Sequence, residues 1–195
     1  MTLLHQAIRR TARPTVVVAI VATAGLASLG AQERSESVRA FLDVATVLSS
    51  PRCANCHITQ DTPLQGEDSH AHTMNVRRGS DGRGTPAMRC TNCHQRASLA
   101  APNTPPGAPD WRLPPPATPM AWHGRSAGDQ CRMLKDPRQN GGRTLPDLLQ
   151  HARTDPLVLA AWSPGPGRAL PPLSHDAFVE RFETWIRLGA SCPNE

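Results

Sequence analysis

One five-residue pattern occurs twice in this chain, as Cys53-Ala54-Asn55-Cys56-His57 and as Cys90-Thr91-Asn92-Cys93-His94. The fold must gather two thiols and the following imidazole at one point, and do so at two places 37 positions apart. That spacing is the pattern of covalent c-type haem attachment. Two thiols reach the two vinyl groups along one porphyrin edge, and the next residue places its imidazole under the iron as proximal ligand. Cys53, Cys56 and His57 are therefore expected to hold one haem c, and Cys90, Cys93 and His94 a second. A tetrahedral zinc site drawn from the four motif cysteines is the competing chemistry. It leaves the histidine after each second cysteine without a role. A thioredoxin-like redox pair needs strand and helix alternating around it, and neither motif is flanked that way.

The N-terminus agrees with haem c, which is attached outside the bacterial cytoplasm. Arg9, Arg10 and Arg13 precede an apolar run from Thr15 to Leu29 that ends in small residues at Gly30 and Ala31. This is the layout of a secretory signal. Residues 1–31 are expected to be removed, leaving one domain over residues 32–195 in the periplasm. An uncleaved N-terminal anchor is the alternative, although about 17 apolar or small residues is short for a span. Arg9-Arg10 invites a twin-arginine reading, but little else of that signal is present. The signal also holds three arginines and no acid, so the chain's +5 falls to +2 without it. Four haem propionates outweigh that remainder, and the basic balance is no argument for nucleic acid. No stable membrane span is expected after cleavage. Arg77, Arg78, Arg83 and Arg89 cluster between the motifs, where guanidinium groups match propionate geometry or simply make a solvated basic loop.

The surroundings of the motifs point to a mainly α fold: a small, loop-rich, dihaem cytochrome c-like domain with short helices and long Pro-rich connections. There are 20 Pro, 14 Gly, three Phe, four Trp and no Tyr. So few large apolar side chains make a meagre core, and such domains usually need staples. Two porphyrins would supply an apolar centre, and the apoprotein is expected to be largely unfolded. Apolar periodicity predicts a helix from about Glu33 to Ser49 with Val38, Phe41, Leu42, Ala45 and Leu48 on one face, stopped by Pro51. Ser174 caps a second helix to about Leu188, with Phe178, Phe182, Trp185 and Ile186 on one stripe and Gly189 beyond its end. Ser126 with Asp129, and Thr144 with Asp147, open two shorter helices that end by Asp136 and about Ala152. No segment alternates convincingly as a strand. Residues 101–119 are too rich in proline for helix or central strand. Trp111, Leu113, Met120 and Trp122 in and after this stretch mark it as an extended segment packed against something, such as a porphyrin face or edge.

Only 37 positions between Cys53 and Cys90 are too few for two haem domains in tandem, so both haems belong to one unit. What stands on the far side of each iron then decides between an electron carrier and an open, reactive site. Candidate sixth ligands are His70, His72, Met74, Met120, His123, Met133, His151 and His175. His72 is the leading choice for one iron with His70 next, and Met120 or His151 the weaker choices for the other. If the 70–74 segment is extended, His70 and His72 point the same way; a turn aims them apart. Outside the motifs, Cys131 and Cys192 are left over, and an oxidising compartment favours a bridge between them. Such a bridge contributes on the order of 4 kcal/mol; free thiols are the alternative.

Several segments carry a resemblance: 74–90, 106–111, 131–137, Asn140-Gly141-Gly142-Arg143, and the ending from Trp185 to Pro193. Together they resemble exported two-haem proteins identified as isoquinoline 1-oxidoreductase subunits, over nearly all of the mature chain. The resemblance implies a redox partner protein, a molybdenum hydroxylase of the xanthine oxidase type, whose electrons such a subunit accepts. Nothing in the chain resembles a molybdopterin site. The expected function is periplasmic electron transfer towards the respiratory chain. A dihaem enzyme such as a peroxidase with one open iron is the alternative; a gas sensor lacks any visible output domain.

Overall fold

The computed structural model describes residues 15–194, with side chains from residue 29 onward. The basic stretch at Arg9, Arg10 and Arg13 lies outside the described residues. The first helix, α1, runs over Thr15–Leu48. It contains the expected Glu33–Ser49 helix and extends it back through the apolar run. No proline falls between Pro14 and Pro51, and an interior glycine costs only about 1 kcal/mol relative to alanine, too little to break so long a run. Among the described residues, no helix is long and apolar enough to cross a membrane.

The remaining helices are α2 Pro51–Ala54, α3 Ala127–Lys135, α4 Leu145–Thr154, α5 Pro156–Leu159 and α6 His175–Arg187. The side chains of Ser126, Thr144 and Ser174 accept from the backbone N–H three residues on, as the capping pattern predicts. Thr144 and Asp147 complete a reciprocal capping box. Two small antiparallel ladders depart from the strand-free expectation. β1 Leu64–Gln65 pairs with β2 His70–Ala71, and β3 Gly84–Thr85 pairs with β4 Met88–Arg89. Two residues per strand hold too few alternations to register as a period in sequence. The architecture is thus mainly helical and loop-rich.

The core sits where α1, α3, α4 and α6 meet. Phe41 of α1 lies 4.9 Å from Trp185 of α6, ring centre to ring centre, and both are fully buried. Phe178, Phe182 and Trp185 form the stripe read from the sequence, and Val44, Val47, Leu134, Leu148 and Leu149 fill in around it. The α1 face needs one correction: Leu42 is 44 % exposed, whereas Ser37 is fully buried. Ser37 Oγ donates to the Trp185 carbonyl at 3.1 Å and accepts from Ser191 N–H at 3.0 Å. A serine faces α6 because the Ser191 N–H just past that helix needs an acceptor, while the Trp185 carbonyl, which also accepts from Ala190 N–H, takes the hydroxyl as a second donor. Arg181 of α6 adds ion pairs to Glu36 and Asp43 of α1.

The expected Cys131–Cys192 disulfide is present and ties α3 to the C-terminal tail. The composition argument for a meagre core holds only for part of the chain. The helices assemble a core from their own side chains, while residues 55–119 contribute little more than Ile58, Cys90, Ala108 and Leu113 to the buried apolar set.

Candidate functional site

Both motifs are built on the same backbone turn. In the first, α2 starts at Pro51 and carries Cys53, and His57 N–H donates to the Cys53 carbonyl at 3.1 Å. In the second, a 3-10 turn spans Cys90–Asn92, and His94 N–H donates to the Cys90 carbonyl at 2.9 Å. That return bond brings two thiols and an imidazole onto a single turn.

The two imidazoles are then held in the same way by one segment. His57 Nδ1 lies 3.0 Å from the Met120 carbonyl oxygen, and His94 Nδ1 lies 2.7 Å from that of Pro106. A carbonyl only accepts, so each Nδ1 carries the proton and each Nε2 keeps its lone pair. Each ring also lies flat on an indole: His57 on Trp122 at 3.5 Å and 10°, His94 on Trp111 at 4.0 Å and 8°. Trp122 and His123 N–H donate back to the His57 carbonyl, and Ala108 N–H donates to that of Gln95, beside His94. Trp111 in the Pro-rich stretch and Trp122 just after it thus pack against the motif histidines. The carbonyl acceptors at Pro106 and Met120 left no trace in the sequence, because any residue type supplies a carbonyl.

The environment keeps these groups neutral. Burial is the main reason that the His57 pKa falls to about 3, and the nearby charge of His151 lowers it further. Burial likewise lowers His94, with His72 adding to the effect. Burial pushes the Cys53 thiol up to about 12 and Cys56 to about 11, and Cys90 contributes to the latter shift. Cys56 and Cys90 are thus close enough to feel each other across the two motifs. Cys93 is the exposed thiol of the four, so the second motif reaches the surface.

Backbone bonds also carry the chain from the first motif to His72. Leu64 N–H donates to the Asn55 carbonyl, β1 pairs Leu64 with Ala71, and His72 N–H donates to the Pro63 carbonyl at 2.8 Å. His72 then meets His94, with ring centres 6.2 Å apart and planes at 67°. His72 Nδ1 faces the Thr73 carbonyl at 2.9 Å.

The other candidate ligands go elsewhere. His70 is exposed and pairs with Asp68 at 2.6 Å. Met120 offers its carbonyl to His57 while its side chain joins the core, which Met133 joins as well. His151, half-buried on α4, faces Asp155 at 3.2 Å and lies near enough to His57 to affect its protonation. Met74 is 69 % exposed, and His175 Nε2 bonds the Ala152 carbonyl.

The arginines between the motifs engage the protein itself. Arg83 pairs with Asp110 and Arg89 with Asp81, and Arg77 reaches Asn75. Arg78 is 2 % exposed and donates to the Ile58 and Gln60 carbonyls just past the first motif. Among the described residues, no three His, Cys, Asp or Glu side chains converge as a bare metal ion would require. Comparison of the chain with protein-family models, curated proteins and solved structures finds no match in any of the three.

Proposed function

We propose that this chain is an exported dihaem c-type cytochrome that carries electrons, accepting them from a molybdenum hydroxylase and passing them towards the respiratory chain. One observation carries the reading: the same arrangement is built twice, at the two places where the sequence puts a haem-attachment motif. In each, a Cys-x-x-Cys turn ends in a histidine whose Nδ1 is tied to a backbone carbonyl and whose ring lies on a tryptophan. Histidines that bind a metal through Nε2 almost always donate their other ring N–H to such an acceptor, which fixes the tautomer and raises basicity. The residues present fit covalently held haem at Cys53, Cys56 and His57, and again at Cys90, Cys93 and His94. Haem c, once attached, supplies a one-electron ferric–ferrous couple whose potential follows its axial ligands and burial.

The chain's own part is to hold the imidazoles neutral, orient them and keep both turns in one folded unit. His57 stays unprotonated well below neutral pH, and the bonds from Asn55 through Leu64 and Ala71 tie the first motif to the hairpin whose His72 ring meets His94. The partner's nature rests on the resemblance to isoquinoline 1-oxidoreductase subunits.

The test is to express the chain with haem-attachment machinery and record intact mass with oxidised and reduced spectra, with and without carbon monoxide. A gain of about 1.2 kDa and reduced spectra unchanged by carbon monoxide are expected. No covalent haem would refute the reading, and a strong carbon monoxide shift in the wild type would replace it with the peroxidase alternative. Mixing the ferric protein with a molybdenum hydroxylase turning over an N-heterocycle tests the partner; no reduction on mixing would remove it.

A further inference from the structure

The geometry points to His72 as the second axial ligand of the iron that His94 holds, making that site six-coordinate through two imidazoles. This inference rests on the two-haem reading above and names what closes one of its sites. A ligating imidazole nitrogen sits about 2 Å from its metal, so two imidazoles on opposite sides of one iron have ring centres roughly 6 Å apart. The His72 and His94 ring centres are 6.2 Å apart. Each ring has Nδ1 against a backbone carbonyl, Thr73 for His72 and Pro106 for His94. The lone pair therefore falls on Nε2 in both, which is the pair of donors such a site needs.

The position of His72 is built by the loop that carries it. Its own N–H bonds the Pro63 carbonyl, the residue before it sits in the β1–β2 ladder, and Thr73 N–H donates to Gln65 Oε1 at 3.1 Å. The other two donors of this segment are directed away: His70 to Asp68, and Met74 to the surface. Because Leu64 of the same loop hangs from the Asn55 carbonyl, the arm that closes the second site is anchored on the first motif.

His72→Ala holoprotein is compared with wild type by intact mass, ferric electron paramagnetic resonance, near-infrared magnetic circular dichroism and carbon monoxide titration of the ferrous form. The variant is expected to keep both haems by mass, to convert one of the two haem signals from low-spin bis-imidazole to high spin, and to bind one more carbon monoxide per protein than wild type. Added imidazole restores the bis-imidazole signal. His72→Met moves that signal to a histidine–methionine type, and His70→Ala leaves both signals as they are. Proton NMR of the diamagnetic carbon monoxide form places the ligand on the haem whose axial imidazole contacts the Trp111 indole. Two unchanged low-spin signals in both His72 variants, or carbon monoxide on the haem beside Trp122, overturn the assignment while leaving the two-haem reading intact. Absence of covalent haem from wild type would sink that reading first.

Discussion

Replacing Cys131 and Cys192 together by alanine measures what the disulfide contributes. The bridge spans 61 positions, and the chain-entropy relation for a loop of that size gives about 4 kcal/mol at 25 °C. The proposed haem cross-links would not substitute for it, because both motifs precede the loop that the bridge closes. Alanine is preferred to serine because Cys131 is fully buried, and a hydroxyl there would add a desolvation cost of its own. For a chain of this length, about 4 kcal/mol corresponds to a fall in Tm of roughly 8–16 °C. The assay is thermal and denaturant unfolding of holoprotein with both haems confirmed by mass, followed in the far ultraviolet. The native spectrum should be unchanged, since α6 is also held to α1 by Phe41, Ser37 and Arg181. A Tm within about 3 °C of wild type would refute the loop-entropy argument, and alkylation of both cysteines in unreduced protein would refute the bridge itself.

Ser37→Ala leaves the Ser191 N–H without its buried partner and takes one of two donors from the Trp185 carbonyl, which keeps Ala190 N–H, and should cost about 1–3 kcal/mol in denaturant unfolding. Arg78→Met strips the donors from the Ile58 and Gln60 carbonyls; a loss of about 2–3 kcal/mol is expected, with a lower yield of haem at the first motif by mass. Thr144→Ala removes the α4 cap and should cost about 1 kcal/mol. The same capping box gives a pH effect. The bond to Thr144 holds the Asp147 carboxyl below its usual range, so its contribution is full above the unfolded value of about 3.9 and is lost as pH falls through the lower folded value. A Thr144→Ala penalty that stays the same in acid would contradict this coupling.

The motif turns and helix caps were legible because their signals are local. Cys-x-x-Cys-His, Ser126, Thr144 and Ser174 each act within a few residues, and the structure puts turns and helix starts where they predict. The leftover cysteines paired by elimination. The rotation of α1 was not legible: Leu42 and Ser37 exchange their expected places because the surface that α1 meets is α6 and the turn after it, about 150 positions away, where Ser191 N–H bonds the Ser37 hydroxyl. His72 could be singled out from its neighbours only as a preference, since what separates it from His70 is the β1–β2 ladder, too short to show in sequence. The carbonyls of Pro106 and Met120 were invisible because a backbone acceptor carries no residue identity.

The Pro-rich segment gains its meaning from that last point. Helix and strand use up their own carbonyls internally, whereas a proline-rich, extended chain has carbonyls to spare. Such a strap can run past two sites and give each an acceptor. Pro106 O serves His94 and Met120 O serves His57, while Trp111 and Trp122 from the same strap cover the two rings. Between these anchor points, Leu113 N–H donates to the Gly82 carbonyl in the loop leading to the second motif. The low helix content of this region is therefore what lets a single stretch of chain orient both imidazoles.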